Sequence, residues 1–211
     1  MMGVVPVFSK HDRSVLFVHI PKAAGSTLER MFARSGWDTA LRETRKTHPQ
    51  LMPLRRCSPQ HYHAALLQEL LAVDRFDVVF TVTREPVSRF RSEYVMRNSQ
   101  DPRTDAAAVE GWADRVLARQ QRDPYTLDNH LRPQHEFVLP GSQVYRLEDG
   151  VESTVADLNE RFDLGLTTTV PQALNSVRRA GVSSSELEVS DGLRERLRSV
   201  YAEDFTRFGY A

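Results

Sequence analysis

Short apolar runs alternate with longer amphipathic segments along most of this chain. Three runs rich in β-branched and aromatic residues are typical of buried strands, at residues 15–20, 76–83 and 143–147. Apolar positions recur with a helical period after residue 26 and at residues 58–71, 87–97, 105–121, 151–162 and 191–208. Residues 39–56, 123–135 and 167–185 lack a regular period and are expected to form loops. Because strands alternate with helices, the pattern predicts an α/β fold in which a mainly parallel sheet carries helices on both faces.

Length and composition narrow the class of protein. No linker, repeat or low-complexity tract divides the 211 residues, so one domain spanning residues 1–211 is expected. Lys plus Arg and Asp plus Glu both number 28, which argues against a protein that coats nucleic acid or an anionic membrane. Cys57 is the only cysteine, and neither a signal peptide nor a membrane-spanning apolar run is present in the sequence. These features favour a cytoplasmic protein, and they leave its oligomeric state open.

The first predicted strand leads through a turn of small residues into a helix. The turn and the start of the helix consist of Pro21, Lys22, Ala23, Ala24, Gly25, Ser26 and Thr27. Free backbone N–H groups and the helix dipole at such a junction attract phosphate or sulfate esters. A nucleotide P-loop has its lysine directly before the hydroxyl residue, whereas Lys22 here precedes Gly25 and no glycine lies upstream. The chain also lacks a convincing strand that ends in a magnesium-binding aspartate, so ordinary ATP or GTP chemistry fits poorly.

A second polar segment follows the next predicted strand. Arg84 lies where that strand ends, and Ser92 lies about two helical turns later. If the strand end and the helix pack side by side, these two residues bind one phosphate from two directions, since the planar guanidinium matches phosphate oxygens. The alternative is that Arg84 caps the strand and pairs with Glu85 or Glu93.

Together, the two segments resemble those of sulfotransferases that use 3′-phosphoadenosine 5′-phosphosulfate (PAPS). The resemblance is closest to the branch with the heparan sulfate 2-O- and 6-O-sulfotransferases and their bacterial relatives. In that family a lysine loop holds the 5′-phosphosulfate, and an arginine–serine segment holds the 3′-phosphate. The second segment is matched here by Arg84, Pro86, Arg89, Ser92 and Tyr94. The resemblance implies a three-layer, P-loop-like α/β fold, PAPS as the donor, adenosine 3′,5′-bisphosphate as the product, and no metal.

The resemblance extends to later parts of the chain. Asn175 and Ser176 correspond to a loop that closes over the nucleotide in the family, although Arg178 and Arg179 stand where the contacts vary. The polar loop before the third strand supplies candidate acceptor-binding residues, which are His130, Arg132 and Gln134.

Sulfuryl transfer needs a base for the acceptor hydroxyl, and histidine suits this role near neutral pH. In the resembled branch the base lies on the helix between the two phosphate segments, where this chain has His61 and His63. His63 fits both the His-x-His pattern of the 2-O enzymes and the His-Ala pattern of the 6-O enzymes, so it is the first candidate, with His61 as an accessory or rival. Lys22 would stabilise the leaving phosphate. Two alternatives remain: both histidines are solvated residues at a helix start, or they bind a metal with His48.

The sequence thus predicts a sulfotransferase that moves a sulfuryl group from PAPS to a hydroxyl of a carbohydrate or glycoconjugate. Two other functions stay open. One is a P-loop-like nucleotide kinase that uses the same turn for ATP, and the other is a non-catalytic module that binds a nucleotide or sulfate.

Overall fold

The computed structural model describes residues 7–40, 50, 54–170 and 180–211, and these residues build one five-stranded sheet. The strands are β1 (Val7–Lys10), β2 (Arg13–Val18), β3 (Asp38–Ala40), β4 (Val78–Thr83) and β5 (Gln143–Arg146). Their order across the sheet is β3-β1-β2-β4-β5. The core strands β2, β4 and β5 are parallel, whereas β1 is antiparallel to both of its neighbours.

The parallel register brings two strand ends together. Val18 at the end of β2 pairs with Thr81 of β4, and Thr83 at the end of β4 pairs with Arg146 of β5. The carboxyl ends of these strands therefore lie along one edge of the sheet, which is where open α/β sheets bind their ligands.

Seven helices surround the sheet in the described part of the chain. They are α1 (Gly25–Arg34), α2 (Ala64–Leu70), α3 (Pro86–Arg97), α4 (Ala106–Arg122), α5 (Val151–Phe162), α6 (Asp191–Val200) and α7 (Ala202–Phe208). Short 3-10 turns lie at Pro59–His61, Val73–Arg75, Gln134–Phe137, Leu147–Asp149 and Ser184–Glu186. Within the described ranges, no helix combines the length and the apolar character needed to cross a bilayer.

Apolar side chains cover the sheet on both faces, because alternate residues of each strand point to opposite sides. On one face, Phe17 of β2 packs with Phe32 of α1 and Leu158 of α5. On the other, Leu16 of β2 packs with Leu67 of α2. A third apolar cluster joins α3, α4, α6 and α7. The predicted α/β fold with helices on both faces is confirmed.

The sequence pattern missed the two strands β1 and β3. Both are short and lie at one side of the sheet, where β1 is joined to β2 by a tight turn with Lys10 opposite Arg13. Residues 38–40, which lie in or next to a predicted loop, form β3 by pairing with β1. Strands this short have too few residues to show an alternating pattern, so their partners rather than their own sequence define them.

Two predicted helices are interrupted. The segment 191–208 is divided at Tyr201, whose buried hydroxyl donates to the carbonyl of Leu131 at 2.9 Å. The segment 58–71 begins with the 3-10 turn Pro59–His61 and passes through extended residues before α2, so His63 is the residue before the helix. The apolar residues of both segments recur with a helical period. A tertiary contact interrupts the helix in the first segment, and extended residues interrupt it in the second.

Candidate active site

The turn after β2 has the backbone of an anion cradle. Lys22 and Ala24 both adopt the left-handed region, with φ of 70° and 63°, and Gly25 begins α1 directly afterwards. Alternation between left- and right-handed residues turns successive N–H groups toward one concave side, which is an anion-binding arrangement. Left-handed residues other than glycine cost about 1–3 kcal/mol each and persist where the surrounding structure holds them. Ser26 and Thr27 lie in the first turn of α1, directly after this turn.

Gly25 is required by a close approach. A Cβ at this position would lie 2.2 Å from Nε2 of His19, so the imidazole packs directly against the glycine backbone. Nδ1 of His19 lies 2.8 Å from a carboxylate oxygen of Glu29 on α1. His19, at the end of the first predicted strand, thus contacts both the turn at Gly25 and the helix α1 through Glu29.

Arg84 meets the cradle from the neighbouring strand β4. Its guanidinium donates to the carbonyl of Lys22 at 3.2 Å, and burial lowers its pKa. The backbone N–H of Arg84 donates to Oε1 of Gln134 at 2.9 Å, and Nε2 of Gln134 donates back to the carbonyl of Arg84 at 2.8 Å. Gln134 is fully buried, so the structure gives it a supporting position behind Arg84.

The helix α3 brings the second phosphate segment to the cradle. Nζ of Lys22 lies 3.4 Å from Sδ of Met96, and Ser92 lies one turn earlier on the same helix face. Lys22 thus lies near both Arg84 and the face of α3 that carries Ser92, and the binding of one phosphate by Arg84 and Ser92 stays a prediction. Glu85 does not pair with Arg84 by its side chain but caps α3, accepting hydrogen bonds from the N–H groups of its first turn.

Two other residues of the arginine–serine segment are buried and bonded to the protein itself. Arg89 donates from both terminal nitrogens to the carbonyls of His130 and Arg132, at 3.0 and 2.8 Å. Tyr94 donates to the carbonyl of Arg103 at 2.8 Å. These residues anchor the polar loop and the end of α3.

His61 and His63 are both buried but differ in their surroundings. His61 accepts or donates at Nδ1, which lies 2.9 Å from Oδ2 of Asp128, and burial lowers its pKa to about 3. His63 is 8% exposed, and its buried Nδ1 has no hydrogen-bond partner among the described residues. Burial, followed by the charge of Arg132, lowers the pKa of His63. Both imidazoles are thus kept neutral at neutral pH, the form in which a histidine accepts a proton.

A row of three imidazoles connects the cradle with α3. The ring centroids of His19 and His61 lie 5.5 Å apart, and those of His61 and His130 lie 4.5 Å apart. His130 is held in turn by Glu93, at 2.6 Å from Nδ1. Each ring therefore has a carboxylate at Nδ1, which fixes its orientation.

Arg132 and His63 both lie against the ring of Tyr125. The guanidinium of Arg132 lies 5.1 Å from the centroid of the Tyr125 ring and forms an ion pair with Glu136. The ring of His63 lies 5.9 Å from the same tyrosine. His63 and Arg132 thus meet at Tyr125, whereas Gln134 from the same loop is fully buried behind Arg84.

Several predicted residues fall outside the described part of the chain. These are Asn175 and Ser176 of the late loop and His48 of the alternative metal site. In the described part, the side chains that could share a metal ion are instead His61, Asp128 and His130, with ligand atoms within 4.8 Å of one another.

A family model of sulfotransferases, described as "Sulfotransferase family", matches residues 6–211, which is essentially the whole chain. The chain belongs to the sulfotransferase family. The predicted family is therefore confirmed, and with it transfer of a sulfuryl group as the general activity. No curated protein and no solved structure matches this sulfotransferase.

Sequence reasoning missed the carboxylates that orient the histidines of this sulfotransferase. Asp128 and Glu93 are 67 and 37 residues from their imidazole partners. The sequence held one signal of a tight turn in the polar loop. Asp128 and Asn129 are adjacent there, and both residue types tolerate a left-handed backbone.

Proposed function

We propose that this sulfotransferase moves a sulfuryl group from PAPS to a hydroxyl of a carbohydrate or glycoconjugate acceptor. The observation that carries the donor assignment is the meeting of two anion-binding elements at adjacent strand ends. The cradle at Lys22 follows β2, and Arg84 follows β4 and bonds to the backbone of Lys22 at 3.2 Å. PAPS carries two separate phosphate groups, and two such elements match them.

The residues present fit this donor. Lys22 and Ala24 have a left-handed backbone in the turn that begins α1, and a turn of this kind at a helix N-terminus suits the 5′-phosphosulfate. Arg84 and Ser92 would hold the 3′-phosphate from the strand end and the helix. Asn175 and Ser176 would contact the nucleotide from the late loop. PAPS supplies the sulfur atom on a good leaving group, so the protein needs to position and neutralise rather than to form a covalent intermediate.

In the transfer, the acceptor oxygen forms a bond to sulfur while sulfur loses its bond to the oxygen of the 5′-phosphate. The proton of the acceptor hydroxyl passes to an imidazole, and the released charge stays on the 5′-phosphate of adenosine 3′,5′-bisphosphate. We assign the base to His63 and the stabilisation of the leaving phosphate to Lys22. The lowered pKa of His63 supports this, because the ring is neutral and able to accept the proton at neutral pH.

The acceptor would bind beside Tyr125, whose ring centroid lies 5.9 Å from that of His63. Arg132 and Arg56 lie against the Tyr125 ring at 5.1 and 5.6 Å, and His130 follows in the same loop. Guanidinium donors next to an aromatic face suit an acceptor with many hydroxyl or acidic groups.

Calorimetry with adenosine 3′,5′-bisphosphate, without Mg²⁺, tests the donor assignment. We expect binding by the parent and a loss of about 10- to 100-fold in affinity for Arg84→Ala, because a charge-assisted hydrogen bond contributes about 1.5–3 kcal/mol. Arg75→Ala, at an exposed position, is the matched control and should bind like the parent. Binding of MgATP but not of the bisphosphate would favour the kinase.

Labelled PAPS with a panel of mono-, oligo- and polysaccharides, read by mass spectrometry, tests the acceptor class. We expect transfer to a hydroxyl that falls about 100-fold or more in Lys22→Ala, in line with the loss of one group that stabilises a leaving oxygen. A His63→Ala variant should bind the bisphosphate normally and lose transfer. Normal transfer by this variant would overturn the assignment of the base, and tight donor binding without any transfer would favour the non-catalytic module.

A further inference from the structure

Three consecutive residues of the polar loop adopt a left-handed backbone. Leu127, Asp128 and Asn129 have φ of 55°, 64° and 65°. Left-handed residues normally occur singly, because each places its Cβ too close to the following carbonyl. A run of three is therefore strained, and the contacts of its side chains must hold it in place.

These side chains bind the segment that precedes α2. Oδ1 of Asp128 accepts from the N–H of Ser58 at 2.5 Å, and Oδ2 accepts from the Ser58 hydroxyl at 2.5 Å. The same Oδ2 lies 2.9 Å from Nδ1 of His61. The next residue, Asn129, is fully buried and donates from Nδ2 to the carbonyl of His61 at 2.9 Å.

Two adjacent side chains thus fix both ends of the turn Ser58–His61, including its backbone and its imidazole. His63 follows two residues later and accepts the first helical hydrogen bond of α2, from Leu67 at 3.1 Å. Because the linker of one residue between His61 and His63 is extended, the place of His63 depends on where His61 is held.

We propose that Asp128 and Asn129 are positioning residues, which use the strained turn to fix His61 in one tautomer and to place His63 for proton transfer. The proposal rests on the proposed function in its assignment of His63 as the base. A carboxylate at Nδ1 makes this nitrogen the proton donor and leaves the lone pair on Nε2. Oδ1 of Asn129 also accepts from Nε of Arg132 at 2.9 Å, so the same turn also positions an arginine that we assign to binding of the substrate that receives the sulfuryl group.

The cluster of His61, Asp128 and His130 is compatible with a metal ion by spacing alone. Its hydrogen bonds favour the positioning role. Oδ2 of Asp128 already accepts from the Ser58 hydroxyl and faces Nδ1 of His61 at hydrogen-bond distance, and both oxygens of this carboxylate are engaged. A metal ion would have to displace these bonds, so metal binding is an outcome that the experiment distinguishes.

The test compares Asp128→Gly and Asn129→Gly with the parent, since glycine keeps the left-handed backbone and removes only the side chain. Hydrogen exchange should become at least about tenfold faster in residues 58–67 of both variants, because this segment loses its anchors. The ¹⁵N resonances of the His61 ring should show a proton on Nδ1 in the parent and on Nε2 in Asp128→Asn, whose amide reverses the donor. Asp123→Asn, an exposed position in the same loop, is the matched control and should leave both readouts unchanged.

Unchanged exchange in Asp128→Gly, or a proton on Nε2 of His61 in the parent, would overturn the proposal. Stabilisation of the parent by Zn²⁺ that is lost in both Asp128→Gly and His130→Ala would also overturn it in favour of a metal site. With an acceptor in hand, kcat should fall about tenfold or more in Asp128→Asn while the KM for PAPS stays within about twofold. Failure of the parent to bind adenosine 3′,5′-bisphosphate would instead count against the proposed function, because Asp128 and Asn129 bond to Ser58, His61 and Arg132, which lie outside the cradle.

Discussion

Backbone strain in this protein is concentrated at single residues around the candidate active site. In the described part of the chain, seven residues other than glycine have a positive φ, and five of them are Lys22, Ala24, Leu127, Asp128 and Asn129. Strain of this kind is kept only where surrounding contacts hold it, and it clusters at sites that bind or react. The cradle and the polar loop are thus marked independently of any side-chain chemistry.

The glycine of the cradle offers a residue-scale prediction. Gly25→Ala should lower the free energy of unfolding by about 1–3 kcal/mol and weaken bisphosphate binding, because the new methyl group must displace the His19 ring. Urea unfolding and calorimetry measure the two effects. Gly192→Ala is the control: a Cβ there meets nothing within 4 Å, and in a helix it should stabilise by about 0.5–1 kcal/mol. Equal behaviour of the two variants would contradict the close approach at Gly25.

A second prediction at this scale concerns the pH dependence of transfer. The base must be neutral, and the pKa of His63 is lowered from 6.5, so activity should be retained as pH falls to 6.5 and decline only below it. The profile of kcat/KM against pH measures this. His11→Ala, in the exposed turn between β1 and β2, is the control and should keep the same profile. A decline centred above pH 6.5 would contradict a desolvated base.

At the scale of elements, the 3-10 turn Gln134–Phe137 joins the end of β4 to α7. The N–H groups of Gln134 and His135 donate to the carboxylate of Asp204, at 2.8 and 2.9 Å, while the Gln134 side chain pairs with the backbone of Arg84. The position of Arg84 beside the cradle is therefore set by a contact between elements far apart in sequence.

Gln134→Glu tests this connection. A carboxylate cannot donate to the carbonyl of Arg84 and would face Asp204, so we expect a loss of about 1–3 kcal/mol in the free energy of unfolding and weaker bisphosphate binding. Denaturant unfolding and calorimetry measure the two effects. Gln68→Glu, at an exposed position of α2, should change stability by less than about 0.5 kcal/mol. A parent-like Gln134→Glu variant would show that this turn does not support Arg84.

For the whole molecule, the buried ionisable groups link stability to pH. Interactions with His130 and Arg97 overcome the effect of burial and lower the pKa of Glu93 from 4.5 to about 2, so its contribution is present above pH 4.5 and lost as pH falls toward 2. Burial lowers the pKa of His61 from 6.5 to about 3, so the folded state binds fewer protons than the unfolded chain within that range. Both groups destabilise the fold on acidification.

We therefore expect the free energy of unfolding to fall steadily between pH 6.5 and pH 4, measured by urea titration at several pH values. Replacing His61 by Gln removes the group that charges on unfolding and should flatten the slope in this range. His11→Gln, at the exposed hairpin turn, should leave the slope unchanged. A free energy of unfolding that rises toward pH 4 would contradict the lowered pKa values of Glu93 and His61.

How far the sequence predicts the structure depends on how local the cause is. The strands β2 and β4 and the turn at residues 21–27 were predicted because the residues that define them are contiguous. The short strands β1 and β3 were missed because pairing defines them. The buried roles of Arg89 and Gln134 were missed because their partners, carbonyl groups of distant segments, leave no trace in composition.

The sequence by itself determined the α/β alternation, the strand–turn–helix junction at residues 21–27 and the sulfotransferase family, since periodicity and motif spacing are properties of contiguous residues. Only the tertiary structure decided which groups hold the histidines and how Arg84 reaches the cradle. His61 meets Asp128 across 67 residues, and Arg84 meets Lys22 across 62. The physical reason is that hydrogen bonds and burial act between neighbours in space, and packing of the parallel strand ends is what makes these residues neighbours.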